Sequence, residues 1–235
     1  LVLNLGVYIN CRNEDLFIRP CINAVKKVFP EVKVLDTGST DDSVKFARKL
    51  KVPVYSEEVQ GTEYSEFRNQ FLKLHDWVFF IDADEIYPEN SLLQLRDKIY
   101  NGNHKYCKTY NALWKLIKFD QGKLWMTSHN FELCHPSVTF RADRYYYSRP
   151  WPTEVLRRKV GARKGLREPR LGTDQNVWCW HLTLLNRSSE PEPRWRKKAR
   201  WHSFHEYSEK FNWDPINRLP INLDPKVLKI EKWNL

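Results

Sequence analysis

Two carboxylates separated by one small residue, Asp82-Ala83-Asp84, follow an entirely apolar run, Trp77–Ile81. On an extended chain, residues two apart point to the same side, with Cα atoms roughly 6–7 Å apart. Such carboxylates repel each other and call for a cation or positive donors nearby. Hard oxygen ligands suit Mg2+ or Mn2+, which bind one or two carboxylates and complete their shell with substrate phosphate oxygens. A metal held there neutralises a departing diphosphate. The plain structural alternative is an acidic turn after a strand. Two further polar clusters weigh against it. Asn10-Cys11-Arg12-Asn13-Glu14 follows the apolar Val2–Ile9, and Asp36-Thr37-Gly38-Ser39-Thr40-Asp41-Asp42 follows Val32–Leu35.

The elements that must position these clusters can be read from periodicity. Val2–Ile9, Val32–Leu35, Val52–Tyr55 and Trp77–Ile81 are short apolar strands. Between them Asp15–Phe29 carries Ile18, Ile22, Val25 and Phe29 at helical spacing. Thr40 or Asp41 can cap a helix reaching about Leu50. Tyr64, Phe67, Phe71 and Leu74 form the stripe of another helix, and Ser91–Tyr100 that of a fourth. This alternation predicts an α/β fold: one domain with a mixed, mainly parallel sheet flanked by helices. In such sheets ligands bind beyond the carboxyl ends of the strands, so the three polar clusters are predicted to share one edge.

The texture changes near residue 101. Residues 105–118 are aromatic and β-prone, and Asp120-Gln121-Gly122 reads as a hairpin turn. Residues 190–211 read as a helix, and the tail from Trp213, with Pro215, Pro220 and Pro225, as an extended strap. The expected organisation is a nucleotide-sugar-binding half over 1–100, an acceptor-binding and catalytic half over 101–212, and the strap over 213–235.

With 39 Lys and Arg against 29 Asp and Glu the net charge is +10, which favours anionic partners. Either a solvated basic face or a phosphate-attracting rim accounts for it. The five cysteines include no Cys-x-x-Cys pair, which disfavours a zinc ribbon and suits a reducing, cytoplasmic setting. No apolar run is long enough to span a membrane, and no signal peptide is visible. Peripheral membrane contact is compatible with the charge.

These motifs together resemble family 2 glycosyltransferases of GT-A (Rossmann-like) fold, and within them the branch that includes lipopolysaccharide-core β-glucosyltransferases. The matching residues are Arg12-Asn13-Glu14, Asp36-Thr37-Gly38-Ser39-Thr40-Asp41, Phe67-Arg68-Asn69, and Trp77 through Asp82-Ala83-Asp84-Glu85. The resemblance implies an inverting transfer of a sugar from a nucleotide-diphosphate sugar, with uridine the favoured base, to an acceptor hydroxyl of a glycan or glycoconjugate. It implies Mn2+ or Mg2+ as cofactor. Asp36, Gly38, Arg12 and the backbone near Asn10, with Asn13 and Glu14, would line the nucleotide pocket. Arg68 would face the nucleotide or diphosphate. Asp82 and Ala83 would adjoin the ribose or metal-bound groups, and Asp84 would ligate the metal.

An inverting transferase needs a general base for the acceptor hydroxyl. In the branch it resembles, a carboxylate follows Leu-Phe-Arg, an aromatic stretch and Val-His-Glu. Thr139-Phe140-Arg141 and Pro152-Thr153-Glu154 correspond, with Thr153 in place of the His. Glu154 is therefore the expected base, with Asp143 and Glu85 in reserve. His181, ending the apolar segment Val177–Trp180, is the expected further metal ligand, and Lys197 is expected to reach the diphosphate. Trp114, Trp125, Tyr145–Tyr147 and Trp151 either stack a sugar or fill a core. Two other readings compete. A sugar nucleotidyltransferase is disfavoured because Arg12-Asn13-Glu14 has no glycines. A basic nucleic-acid or polyanion-binding module is disfavoured by the acidic strand ends, so no nucleic-acid partner is expected.

Overall fold

A computed structural model describes residues 3–59, 63–101, 109–111, 113–128, 138–141, 145–148, 155–158, 177–189, 211–223 and 226. Strands β1 (Leu5–Cys11), β2 (Lys33–Asp36), β3 (Val54–Ser56) and β4 (Trp77–Asp82) are parallel, in the spatial order β3-β2-β1-β4. They alternate with α1 (Ile18–Lys26), α2 (Ser43–Lys49) and α3 (Glu63–Leu72), and α4 (Glu89–Asn101) follows. This is the α/β fold expected, with a mainly parallel sheet between helices.

The apolar runs in β1 and β4 have a packing cause: both faces of the sheet are covered. Val7, Ile9, Val34, Phe79 and Ile81 pack with Ile18, Cys21, Ile22 and Val25 of α1 and with Leu92, Leu95 and Ile99 of α4. The alternate residues Tyr8, Leu35, Val78 and Phe80 pack with Phe67, Phe71 and Leu72 of α3. Complete burial of each such aliphatic or Phe side chain contributes about 1.5–3 kcal/mol. Pro20 is tolerated in α1 because it lies in the first turn, where the N–H would have no helical acceptor.

The later chain extends this sheet and builds a second. β6 (Thr109–Asn111) and β9 (Val138–Arg141) continue beyond β4, with β9 antiparallel to it. A second sheet runs β13 (Trp213–Ile216), β8 (Lys123–Thr127), β7 (Leu113–Asp120), β12 (Trp178–His181) and β5 (Glu85–Ile86). β7 and β8 form the hairpin expected around Asp120-Gln121-Gly122, and positive φ at Gln121 and Gly122 gives the tight turn its sense. β10 (Tyr145–Ser148) and β11 (Val155–Arg158) make a separate antiparallel pair.

Within the tail Trp213–Ile216 pairs with β8 as an edge strand, a position where Pro215 need not donate to a ladder. One expectation changes. Neither Thr40 nor Asp41 holds the cap position of α2, which falls at Asp42 without a side-chain bond. Asp41 instead accepts from the amide and hydroxyl of Ser43. The expected helix at 190–211 falls on residues outside those described, apart from Phe211.

Candidate donor site at the carboxyl edge of the sheet

The first sheet runs outward from β1 in both directions, to β2 on one side and β4 on the other. That reversal of order opens a crevice at the carboxyl ends of β1 and β4. Register places the three polar clusters there together, with Cys11 opposite Asp36 and Asn10 opposite Asp82. Asn10 donates from Nδ2 to Asp82 Oδ1 at 3.0 Å, and its carbonyl accepts from Ala83 N at 3.0 Å. The carbonyl of Cys11 accepts from Thr37 N at 2.9 Å. The predicted convergence is therefore a set of direct hydrogen bonds.

Several residues of these clusters stitch the loops. Asn13 adopts a φ of 54°, accepts at its side-chain oxygen from Thr40 N at 2.7 Å, and donates from its own amide to Ser39 Oγ at 2.9 Å. Asp36 is buried and accepts from Ser39 N at 3.1 Å, closing the turn that contains Gly38 at a φ of 97°. Arg12 donates to the carbonyl of Val59 at 3.1 Å. Arg68, on α3, donates to Tyr64 Oη at 2.9 Å and lies 3.5 Å from Asp82 Oδ1. Its guanidinium stacks 4.4 Å from the Tyr64 ring centroid, beside Phe80.

Asp82 and Asp84 do not lie on one extended chain. β4 ends at Asp82, and Ala83-Asp84 turn the chain into the short strand β5. The two carboxylates consequently differ. The side chain of Asp82 is 50% exposed at the crevice, whereas that of Asp84 is 2% exposed. Glu85 is fully buried, and its Oε2 accepts from the amide of Asp82 at 3.2 Å, so it holds the turn.

β12 delivers the second part of the site. His181 pairs with Glu85, and Leu182 N donates to the carbonyl of Asp84 at 2.9 Å. His181 Nε2 thereby lies 3.6 Å from Asp84 Oδ2, with its ring packed on Trp114 at 4.0 Å between centroids. Trp114 is buried, so it supports the imidazole and packs the core. Burial lowers the pKa of His181, although Asp84 and Asp82 pull it up, and the neutral ring that results is the metal-binding form.

One residue at the site was not singled out in the sequence. Arg187 Nη2 lies 2.6 Å from Asp84 Oδ2 and 2.7 Å from Glu14 Oε1. Burial alone would lower its pKa, but Asp84, Glu14 and Asp82 raise it well above the ordinary arginine value. Its neighbours fasten the same segment: Ser188 Oγ donates to Asp41 at 2.6 Å, and Ser189 donates to Asp15 from both its amide and its hydroxyl. The only hint in the sequence is an Arg followed by two hydroxyl residues shortly after an apolar strand. Glu154, Asp143 and Lys197 lie outside the described residues, as does Trp151.

Asp84 and His181 could offer a hard carboxylate and an imidazole nitrogen to a divalent cation, with the carboxylate of Asp82 half exposed at the rim. Among the described residues there is no group of three or more His, Cys, Asp or Glu that could hold a metal, so Asp82, Asp84 and His181 do not close into a metal site of their own. A metal at Asp84 and His181 would need further oxygens, such as those of a phosphate, to complete its shell. No helix among the described residues is long and apolar enough to cross a membrane.

An uncharacterized glycosyltransferase of Rickettsia conorii is 36% identical over 85 residues, which is 36% of this chain and 30% of that protein. Glycosyltransferase SunS of Bacillus phage SPbeta is 34% identical over 85 residues, covering 34% of this chain and 19% of the relative. An uncharacterized glycosyltransferase of Mycoplasma genitalium is 25% identical over 184 residues, covering 68% of this chain and 60% of the relative. The matches thus span less than a third of the first two relatives. Among solved structures, glucosyl-3-phosphoglycerate synthase from Mycobacterium tuberculosis, in complex with Mn2+ and UDP-glucose, aligns with a TM-score of 0.42 and 23% identity, over 48% of this chain and 44% of that one. The family model for glycosyl transferase family 2 matches residues 7–149, which take in most of β1, all of β2, β3 and β4 and the turn carrying Asp82 and Asp84, and the chain belongs to that family.

Proposed function

We propose that the protein transfers a sugar from a nucleotide-diphosphate sugar, with a UDP-sugar favoured, to a hydroxyl of a glycan or glycoconjugate, with inversion. The observation that carries this reading is the juxtaposition at one sheet edge of Asn10 with Asp82 and of Asp84 with His181. In this reading the nucleotide lies along the ends of β1 and β2, near Asp36, Gly38 and Arg12. Arg68 has its guanidinium fixed by Tyr64, and draws the donor's negative charge toward Asp82. Asp84 and His181, with Asp82 at the rim, would hold Mn2+ or Mg2+. Such an ion, when bound, supplies charge neutralisation for the leaving diphosphate. Lys197 would supply a cation for the diphosphate, and Glu154, with Asp143 as its reserve, would remove the proton of the attacking hydroxyl.

The test is a panel of nucleotide sugars screened by thermal shift with and without Mn2+. A ligand that binds only the native state raises the melting temperature by mass action. The expected result is a shift with a UDP-sugar that depends on Mn2+. No shift and no turnover with any donor would overturn the reading. Tight oligonucleotide binding that weakens steeply with salt would replace it with a polyanion-binding role.

A further inference from the structure

We infer that Arg187 is a positioning residue that acts as a built-in cation: in the donor-free protein it occupies Asp84 Oδ2 and competes there with a divalent metal, so the metal is taken up together with a diphosphate rather than ahead of it. This inference rests on the metal-dependent reading proposed for the site.

The geometry is specific. One guanidinium nitrogen, Nη2, bridges Asp84 Oδ2 at 2.6 Å and Glu14 Oε1 at 2.7 Å. The two carboxylates come from the turn after β4 and the loop after β1, so the Arg187 guanidinium bridges both strand ends at once. Oδ2 is also the oxygen that faces His181 Nε2 at 3.6 Å. The position that an ion shared by Asp84 and His181 would use is thus already served by a fixed positive charge. A guanidinium that touches the ligand atom opposes a dication in two ways, by occupying the oxygen and by like-charge repulsion.

The backbone around Arg187 shows that the contact is built rather than incidental. The carbonyl of Arg187 accepts from Leu16 N at 3.2 Å. Ser188 is held by Asp41 and Ser189 by Asp15. Arg187 Nε is buried and meets no acceptor among the described residues, which leaves one donor of the fork unspent. A diphosphate supplies acceptor oxygens, so it relieves both the cation's claim on Asp84 and the unused N–H. Free metal supplies neither.

The test compares Mn2+ affinity, by calorimetry or by the Mn2+ paramagnetic signal, with and without UDP. The wild-type protein should bind Mn2+ weakly alone and at least about tenfold more tightly with UDP. Arg187→Gln should bind Mn2+ alone at least about tenfold more tightly than wild type, with little further gain from UDP, because the fixed positive charge that opposes a dication at Asp84 Oδ2 is gone. If that variant is too unstable without metal, Mn2+ alone should raise its melting temperature well beyond the rise seen for wild type. Glu14→Gln provides the opposite sign: Arg187 then serves Asp84 alone, and Mn2+ affinity without UDP should fall. Wild-type Mn2+–UDP synergy combined with unchanged or weaker Mn2+ binding in Arg187→Gln overturns this inference and leaves the metal reading standing. Absence of Mn2+ binding in every protein, with UDP present, overturns both.

Discussion

The pairing of Asp84 with Arg187 sets a stability that can be measured apart from catalysis. Replacing Asp84 by Asn keeps the shape of the side chain and removes its charge. Removing one partner of a buried ion pair costs about 3–5 kcal/mol, because the other charge is stranded. Here Arg187 keeps Glu14 at 2.7 Å, so the loss should be smaller, about 2–3 kcal/mol. Arg187→Met should cost more, about 4–5 kcal/mol, because it leaves the carboxylates of Asp84 and Glu14 buried with no guanidinium between them. In the double variant the Asp84 charge is already gone, so the two losses should not add. The coupling should be about 2 kcal/mol, inside the range for residues in direct contact. Urea unfolding of the four proteins gives the cycle from the midpoints, provided the slopes agree. Losses that add to within about 0.5 kcal/mol would place the pair with exposed ion pairs and refute the buried bridge. The 2% exposure of the Asp84 side chain is the reason a stability cost accompanies its replacement.

Asp82 should behave differently from Asp84. Its side chain is half exposed, so Asp82→Asn should alter stability by no more than about 0.5 kcal/mol in urea while weakening UDP-sugar binding in the thermal-shift assay. Gly38→Ala should cost about 1 kcal/mol or more by urea unfolding, since φ is 97° and the new Cβ would meet Glu58 Cγ at 3.2 Å. Stability should also fall in mild acid. His75 is held below its ordinary value by burial and by Lys33, against the pull of Asp76, and His181 is lowered as well. The unfolded chain then protonates first, so stability is full above the ordinary value of 6.5 and declines as pH drops through the window beneath it. His75→Gln should flatten part of that decline, read from urea midpoints at about pH 7.5 and about pH 5.5.

The sheet was legible because its strands are buried on both faces and therefore read as unbroken apolar runs, as in Trp77–Ile81. The shared edge followed from chain direction alone: parallel strands put all their carboxyl ends on one side. What could not be read was which oxygen meets which partner. Asp82 and Asp84 look equivalent two residues apart, and only the turn into β5 makes one a rim carboxylate and the other a buried one. Arg187 was illegible for a related reason. It sits on an irregular segment with no periodicity, and its role depends on a contact with a residue 103 positions earlier in the chain. Sequence spacing carries no signal for a contact of that kind.

The two-residue strand β5 has a consequence for the order in which the molecule can be assembled. Its partner β12 lies almost a hundred residues later, at Trp180 and His181. A ribosome extends the chain from the N-terminus, and the parallel strands β1 to β4 emerge long before β12 does. In a nascent chain that stops short of residue 177, Asp84 has neither His181 nor Arg187 to meet. Glu14 and Asp84 then lack the guanidinium that bridges them, so the two loop ends are not tied together until the late segment docks. Donor binding should therefore appear abruptly with chain length, and truncations ending before Trp178 should retain sheet structure by circular dichroism while failing to bind UDP with Mn2+.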